Sequence, residues 1–170
     1  MKRVLVFTTA FLMASTLSLS AADQTALGSV YVGAGVGIEA VPTQYESSGI
    51  AMSLKVGSKL DYLLPKLGGE IEYTKSLIQV KSSVTNKVDV ATLGAYFTYE
   101  INFKNSPIFV RPRLGIMLPN TGDKINSTDF GLSSGADLGV SLSKRANAYL
   151  GYTNMGETIN NYILGIEYRF

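Results

Sequence analysis

Cysteine, histidine and tryptophan are all missing from this chain of 170 residues. Without cysteine no disulfide can form, which excludes the small stapled scaffolds common among exported proteins. Without histidine there is no imidazole general base, no Ser-His-Asp triad and no use of the commonest metal ligand. Charge is sparse at 16% Asp, Glu, Lys and Arg, while hydrophobic residues reach 46%, a balance that does not suit disorder. Past the N-terminal segment no apolar run is long enough to cross a membrane as a helix. The chain has instead 17 glycines, ten tyrosines and a recurring alternation of apolar with small or polar residues.

Residues 1–22 are read as a cleaved signal peptide. Lys2 and Arg3 precede an apolar or hydroxylated run from Val4 to Leu17, and Ser20-Ala21-Ala22 supplies small residues for cleavage. Residues 23–170 then form one domain with 13 basic and 13 acidic residues, because Lys2 and Arg3 leave with the leader. A neutral mature chain gives no electrostatic ground for binding nucleic acid.

Eight stretches alternate with period two, the mark of strands that divide two environments. Leu27–Ala40 sets Val30, Val32, Ala34, Val36 and Ile38 against Tyr31, Gly33, Gly35, Gly37 and Glu39. Gly49–Ser58 sets Ile50, Met52, Leu54 and Val56 against Ala51, Ser53, Lys55 and Gly57. Leu67–Leu77, Val88–Ile101, Ile108–Leu118, Phe130–Ser143, Ala146–Thr153 and Tyr162–Phe170 repeat the split. Pro112 falls inside the fifth stretch, where it cannot donate to a ladder, and predicts a local bulge. A membrane strand takes roughly 9 to 11 residues, so eight strands and seven connections use the whole mature chain.

The polar faces decide which side meets solvent. They carry Lys55, Glu70, Glu72, Glu100, Arg111, Arg113, Asp137, Glu167 and Arg169, a set that would cost several kcal/mol per ion in a dry soluble core unless paired. An inverted barrel resolves this: the apolar faces meet lipid, the polar faces fill a narrow lumen, and closure removes every unpaired edge. Longer connections at Ala40–Ser48, Ser76–Lys87, Pro119–Asp129 and Asn154–Asn160 alternate with tighter ones. That is the pattern of loops outside and turns in the periplasm, with both termini periplasmic. A soluble exported β-sandwich is the competing fold.

With its first strand Y-V-G-A-G-V-G-I-E and its last strand Y-I-L-G-I-E-Y-R-F, the chain resembles the small eight-stranded outer-membrane barrels, the OmpA-transmembrane-domain and OmpX type of porin-like protein. The resemblance covers essentially residues 26–170. It implies an all-β, antiparallel up-and-down transmembrane barrel in the bacterial outer membrane. It further implies that Leu164, Ile166, Tyr168 and Phe170 form the signal read by the outer-membrane barrel assembly machinery. The expected surroundings are outer-membrane lipid and lipopolysaccharide, and the expected state is a monomer. Lacking tryptophan, an interfacial girdle would use Tyr99, Phe130, Tyr152, Tyr162, Tyr168 and Phe170. Lacking a periplasmic peptidoglycan-binding domain, the chain does not inherit a cell-wall anchoring role.

The nine lumen charges predict a salt-bridged plug in which Arg111 and Arg113 neutralise Glu70, Glu72 and Asp137. A gated path for water or small ions is the alternative use of the same residues. Glu70 and Glu72 share a face, yet paired-carboxylate catalysis needs differently tuned groups flanking a substrate. No catalytic residue, cofactor or metal is expected, and a lipid-modifying enzyme is disfavoured by the missing histidine. The G-x-G spacings on the inner faces precede no helix, so phosphate binding is rejected in favour of packing around larger side chains. The function expected is structural or that of a narrow channel, with a surface adhesin or receptor acting through Ser76–Lys87 and Pro119–Asp129 as the alternative.

Overall fold

The computed structural model describes residues 29–40, 48–60, 64–78, 90–121, 131–155 and 159–170. Its strands are β1 (Val30–Ala40), β2 (Gly49–Lys59), β3 (Leu67–Ile78), β4 (Val90–Tyr99), β5 (Ile101–Asn102), β6 (Ile108–Thr121), β7 (Gly131–Ser141), β8 (Ala146–Met155) and β9 (Ile159–Arg169). They pair in the order β4-β3-β2-β1-β9-β8-β7-β6-β5, and a further β4–β6 pairing closes the sheet. All pairings are antiparallel. Because Thr98 pairs with Arg113 and Ile101 with Val110 in one continuous register, β4 and β5 are a single wall. The protein is an all-β barrel of eight walls.

Register fixes the shape. Starting at Val30, partners run through Ser58, Gly69, Phe97, Leu114, Ser134, Asn154 and Asn160 and return to β1 at Ala40, ten residues further along. Eight strands with that stagger tilt by about 40° on a backbone radius of about 8 Å. Such a bore holds inward side chains from each wall and little else.

The bulge expected at Pro112 is not formed. Pro112 pairs with Ala136 in a register unbroken from Ile108–Val140 to Met117–Gly131. Its missing N–H instead coincides with a break in the neighbouring wall, where β4 and β5 part at Glu100. The register shift in the described strands falls elsewhere, between Ile50 and Ala51 against Ile78 and Ser76.

Several strand ends depart from the polarity pattern. β6 continues through Pro119, which pairs with Thr92, where a loop was expected. β8 runs to Met155 and β9 begins at Ile159, so Asn154 and Asn160, expected in a loop, face each other in the ladder. Residues polar on both faces hide the period there, and side chains secure the end: Asn154 Nδ2 and the Tyr152 hydroxyl each donate to Asn160 Oδ1 at 2.9 Å. β7 stops at Ser141 rather than Ser143, because the Leu142 and Ser143 amides turn to donate to the Ala146 carbonyl at 2.9 and 3.0 Å.

One end of the barrel, here the terminus end, carries Val30, Phe170 and the connections following β2, β5 and β7. The loop end carries the other four, of which residues 41–47, 79–89, 122–130 and 156–158 lie outside the described residues. Residues 1–22, Phe130 and most of the two segments assigned to adhesion also lie outside them. The last strand closes the barrel to its final residue. Phe170 N donates to the Val30 carbonyl at 2.9 Å and Arg169 N to the Arg145 carbonyl at 2.7 Å.

Polarity is inverted relative to a soluble domain. Phe97, Leu132 and Ile166 are 67%, 76% and 65% exposed, whereas Arg111 and Asp137 are 1% and 0% exposed. Leu164, Tyr168 and Phe170 share the outward face of β9 with Ile166. Outward aromatics cluster at both ends: the Tyr168 and Phe170 rings lie 5.2 Å apart near the termini, and those of Tyr152 and Tyr162 lie 5.1 Å apart toward the loops.

Candidate functional site in the charged lumen

All six acidic side chains among the described residues, Glu39, Glu70, Glu72, Glu100, Asp137 and Glu167, are buried in the lumen. Five of them meet five cations. Arg113 Nη1 lies 2.8 Å from Glu70 Oε1 and 2.7 Å from Glu72 Oε2, and its Nη2 donates to the Thr153 hydroxyl. Arg111 grips Glu167 with both terminal nitrogens, at 2.8 and 2.9 Å, and donates to Glu100 at 2.9 Å. Lys55 Nζ lies 2.6 Å from Asp137 and 3.7 Å from Glu70. Arg169 reaches Glu100 at 2.6 Å and Glu167 at 3.1 Å, and Lys59 adds a contact to Glu100 at 3.1 Å.

The nine charges picked out by sequence thus gather in one network, with Lys55 added to Arg111 as a partner of Asp137. Asp137 was assigned to the two arginines, yet Lys55 holds it most closely, and Arg111 stands 3.8 Å away. The cause is register. Arg111 pairs with Asp137 across neighbouring strands, but its guanidinium turns toward the terminus end, where Glu100 and Glu167 offer a bidentate grip. Lys59 escaped notice, although alternation extended one step past Ser58 places it on the inner face, and Glu39, read on the inner face of the first strand, was left out of the charge set.

Aromatic rings support the cations. Lys55 Nζ sits 3.5 Å from the centroid of the Tyr149 ring. The Arg111 guanidinium lies 4.7 Å from Tyr31 and 5.0 Å from Phe109, and that of Arg113 lies 5.0 Å from Tyr96. Each of these rings faces a glycine on the next strand: Tyr31 opposite Gly57, Tyr96 opposite Gly115, Phe109 opposite Gly139 and Tyr149 opposite Gly165. At Gly57 and Gly139 a Cβ would strike the opposing ring. The bare backbone lets the ring lie flat along the wall and frees the bore for charge. Sequence alone locates inner glycines and inner rings but not their pairing.

Smaller polar groups complete the packing. Tyr31 donates to Glu70 at 2.7 Å, Ser53 to Glu72 at 2.5 Å and Asn147 to Glu167 at 2.7 Å. Paired carboxylates held this firmly by arginine are occupied as acceptors and do not offer the unequal acid and base that glycoside-type chemistry needs. Among the described residues no group of acidic side chains is arranged to hold a metal ion.

An apolar exterior, a fully closed ladder and a charge-filled interior together define a membrane-spanning β-barrel, since lipid tolerates neither open edges nor exposed charge. The family model for the outer membrane protein beta-barrel domain matches residues 9–170, and the chain belongs to that family. Its place is the bacterial outer membrane. Solved structures share the fold. The N-terminal β-barrel domain of OprF from Pseudomonas aeruginosa has a TM-score of 0.60 at 14% identity, covering 84% of this chain and 98% of that one. Neisserial surface protein A has a TM-score of 0.59 at 15% identity, with 84% and 99% covered. The attachment invasion locus protein of Yersinia pestis, solved with the heparin analogue sucrose octasulfate, has a TM-score of 0.59 at 13% identity, with 84% and 99% covered. No curated protein matches the sequence.

Proposed function

We propose that this outer-membrane barrel has a structural role or serves as a narrow, low-conductance path for water and small ions, without catalytic activity. The observation that carries the reading is the compensated network of five cations and five carboxylates filling a bore of about 8 Å backbone radius. A wide diffusion pore does not fit such a bore. One side of the lumen is packed directly on bare backbone. Asp137 Oδ1, the Tyr149 hydroxyl and Arg113 Nε have no protein partner, and each abuts an inward glycine. They stand 2.8, 2.6 and 3.0 Å from where Cβ atoms of Gly151, Gly165 and Gly135 would lie. A Cβ at any of these glycines would press on the polar atom beside it, so the bare backbone is what lets the three side chains pack against the wall and fill the bore.

In this reading the terminus end faces the periplasm and the loop end faces outward. Outer-membrane lipid and lipopolysaccharide surround the apolar wall. The assembly machinery reads Leu164, Ile166, Tyr168 and Phe170, and a barrel with no free edge works as a monomer. Planar-bilayer recording of Arg111→Ala/Arg113→Ala tests it, with folding of the variant verified by its change in gel mobility on boiling. The folded double variant should conduct several-fold more than the parent, and unchanged conductance would count against a gated lumen.

Surface recognition is the second reading, favoured by two of the structural relatives, a surface protein and an attachment protein. Replacing Ser76–Lys87 and Pro119–Asp129 with short turns separates the two. Lost surface binding with unaltered permeability supports recognition, and altered permeability with retained binding supports the lumen.

A further inference from the structure

Toward the loop end the lumen holds a sixth acid that the network does not reach. Glu39, near the end of β1, is 1% exposed. Ser76 donates to its Oε2 at 2.7 Å, and its Oε1 has no protein partner. Among the described residues no lysine or arginine lies within ion-pair distance of it, whereas the cations deeper in the bore are committed to Glu70, Glu72 and Asp137. Its neighbours in the ladder are Gly49 on β2 and Asn161 on β9, and Thr74 and Thr92 turn inward on β3 and β4. Among the described residues the charged groups next along the bore are those of the compensated cluster, where Glu72 and Arg113 pair with each other.

A buried carboxylate without a counter-charge is costly and must be neutralised by a proton or a cation. The side-chain atoms gathered there that could face a cation are all oxygen: a carboxylate, the Ser76 hydroxyl, which donates its proton to Glu39, and the amide oxygen of Asn161, the ladder neighbour of Glu39. Such a set suits hard cations rather than soft ones. One negative charge matches one positive charge, so a monovalent ion leaves the buried site neutral while a divalent ion would leave it positive. We propose that Glu39, with Ser76 and Asn161, holds a sodium or potassium ion at the loop end of the lumen. The site does not depend on conduction. In a plugged barrel the ion is a structural counter-charge, and in a conducting one it marks where cations enter.

The test uses the full-length barrel folded in non-ionic micelles at pH 7, in sodium, potassium or N-methylglucamine chloride at equal ionic strength. Melting is followed by loss of the compact gel band. Sodium or potassium should raise Tm by about 3 °C over N-methylglucamine. Glu39→Gln should erase that difference. Glu72→Gln, which strips a carboxylate from the paired cluster, should lower Tm in all three salts and keep the difference. Equal melting of the parent in the three salts, or a difference that survives Glu39→Gln, would overturn the proposal. The carboxyl carbon resonance of Glu39 gives a second reading. A carboxylate signal that moves with sodium and not with N-methylglucamine supports the site, and a protonated carboxyl at pH 7 makes the proton the occupant and ends it.

Discussion

Toward the terminus end, Arg111 lies between Glu100 and Glu167, Arg169 bridges the same two acids, and Lys59 adds a third cation to Glu100. Toward the loop end the inward polar side chains are mostly hydroxyls and amides, among them Thr74, Ser76, Thr92, Thr153 and Asn161, packed with the apolar Ala51, Val90, Met117 and Ile163, and Glu39 is the one acid among the described residues there. Both halves are buried and both are polar, yet only one is cross-braced. Ion pairs in the first half link β2, the β4–β5 wall at Glu100, β6 and β9, four walls that are not all neighbours, so they tie the barrel across its bore as well as along its ladder. The hydroxyls of the second half bond mostly to nearby walls, as Ser76 does to Glu39. Stiffness should therefore be concentrated near the termini, leaving the loop end free to change without loss of the fold.

The largest effect should come from breaking the brace. Arg111→Ala leaves Glu167 without its bidentate partner and Glu100 with fewer cations, in a site where Arg111 is 1% exposed. Removing one member of a buried pair costs about 3–5 kcal/mol, because the remaining charge is stranded away from water. Urea unfolding of the barrel in micelles should show that loss. A change below about 1 kcal/mol would mean that water already screens the cluster and that the two halves do not differ.

Next in size is a change of packing beneath the brace. Tyr31 lies flat over Gly57, supports the Arg111 guanidinium at 4.7 Å and donates to Glu70 at 2.7 Å. Gly57→Ala places a methyl group in the ring and should destabilise by about 1–3 kcal/mol, the usual range for overpacking. Gly131→Ala, at a glycine with open space around its Cβ position, should have little effect and serves as the control. Equal effects at the two sites would show that the ring moves aside freely and that glycine opposite an aromatic is not a constraint here.

How far the sequence foretold this arrangement varies by level. Alternation separated inner from outer residues on every wall, because lipid and lumen impose opposite demands on successive positions of a strand. It failed where both faces are polar, as at Asn154 and Asn160, and where a proline stands beside a break in the neighbouring wall, as at Pro112. The charges of the network were visible as a set, since carboxylates and guanidinium groups on one face must meet. Their partners were not. Which acid meets which base depends on the stagger that carries Val30 round to Ala40, and no single strand encodes that. The facing of Tyr31 with Gly57 or Tyr149 with Gly165 was hidden for the same reason.

The smallest effect belongs to the loop end. Ser76 donates to Glu39 at 2.7 Å and is 4% exposed, so Ser76→Ala removes one hydrogen bond to a charged acceptor. A bond of that kind is worth about 1.5–3 kcal/mol where the acceptor has nothing else, but Glu39 stands at the less tightly braced end, where water or an ion can replace the hydroxyl. The expected loss is therefore about 1 kcal/mol or less, well under that of Arg111→Ala in the same urea series. Thr92→Val, a change of nearly equal volume on the adjoining inner wall, should fall in the same range. If either variant costs as much as Arg111→Ala, the hydroxyl collar carries as much of the fold as the ion pairs do. The lumen would then be one braced unit from end to end.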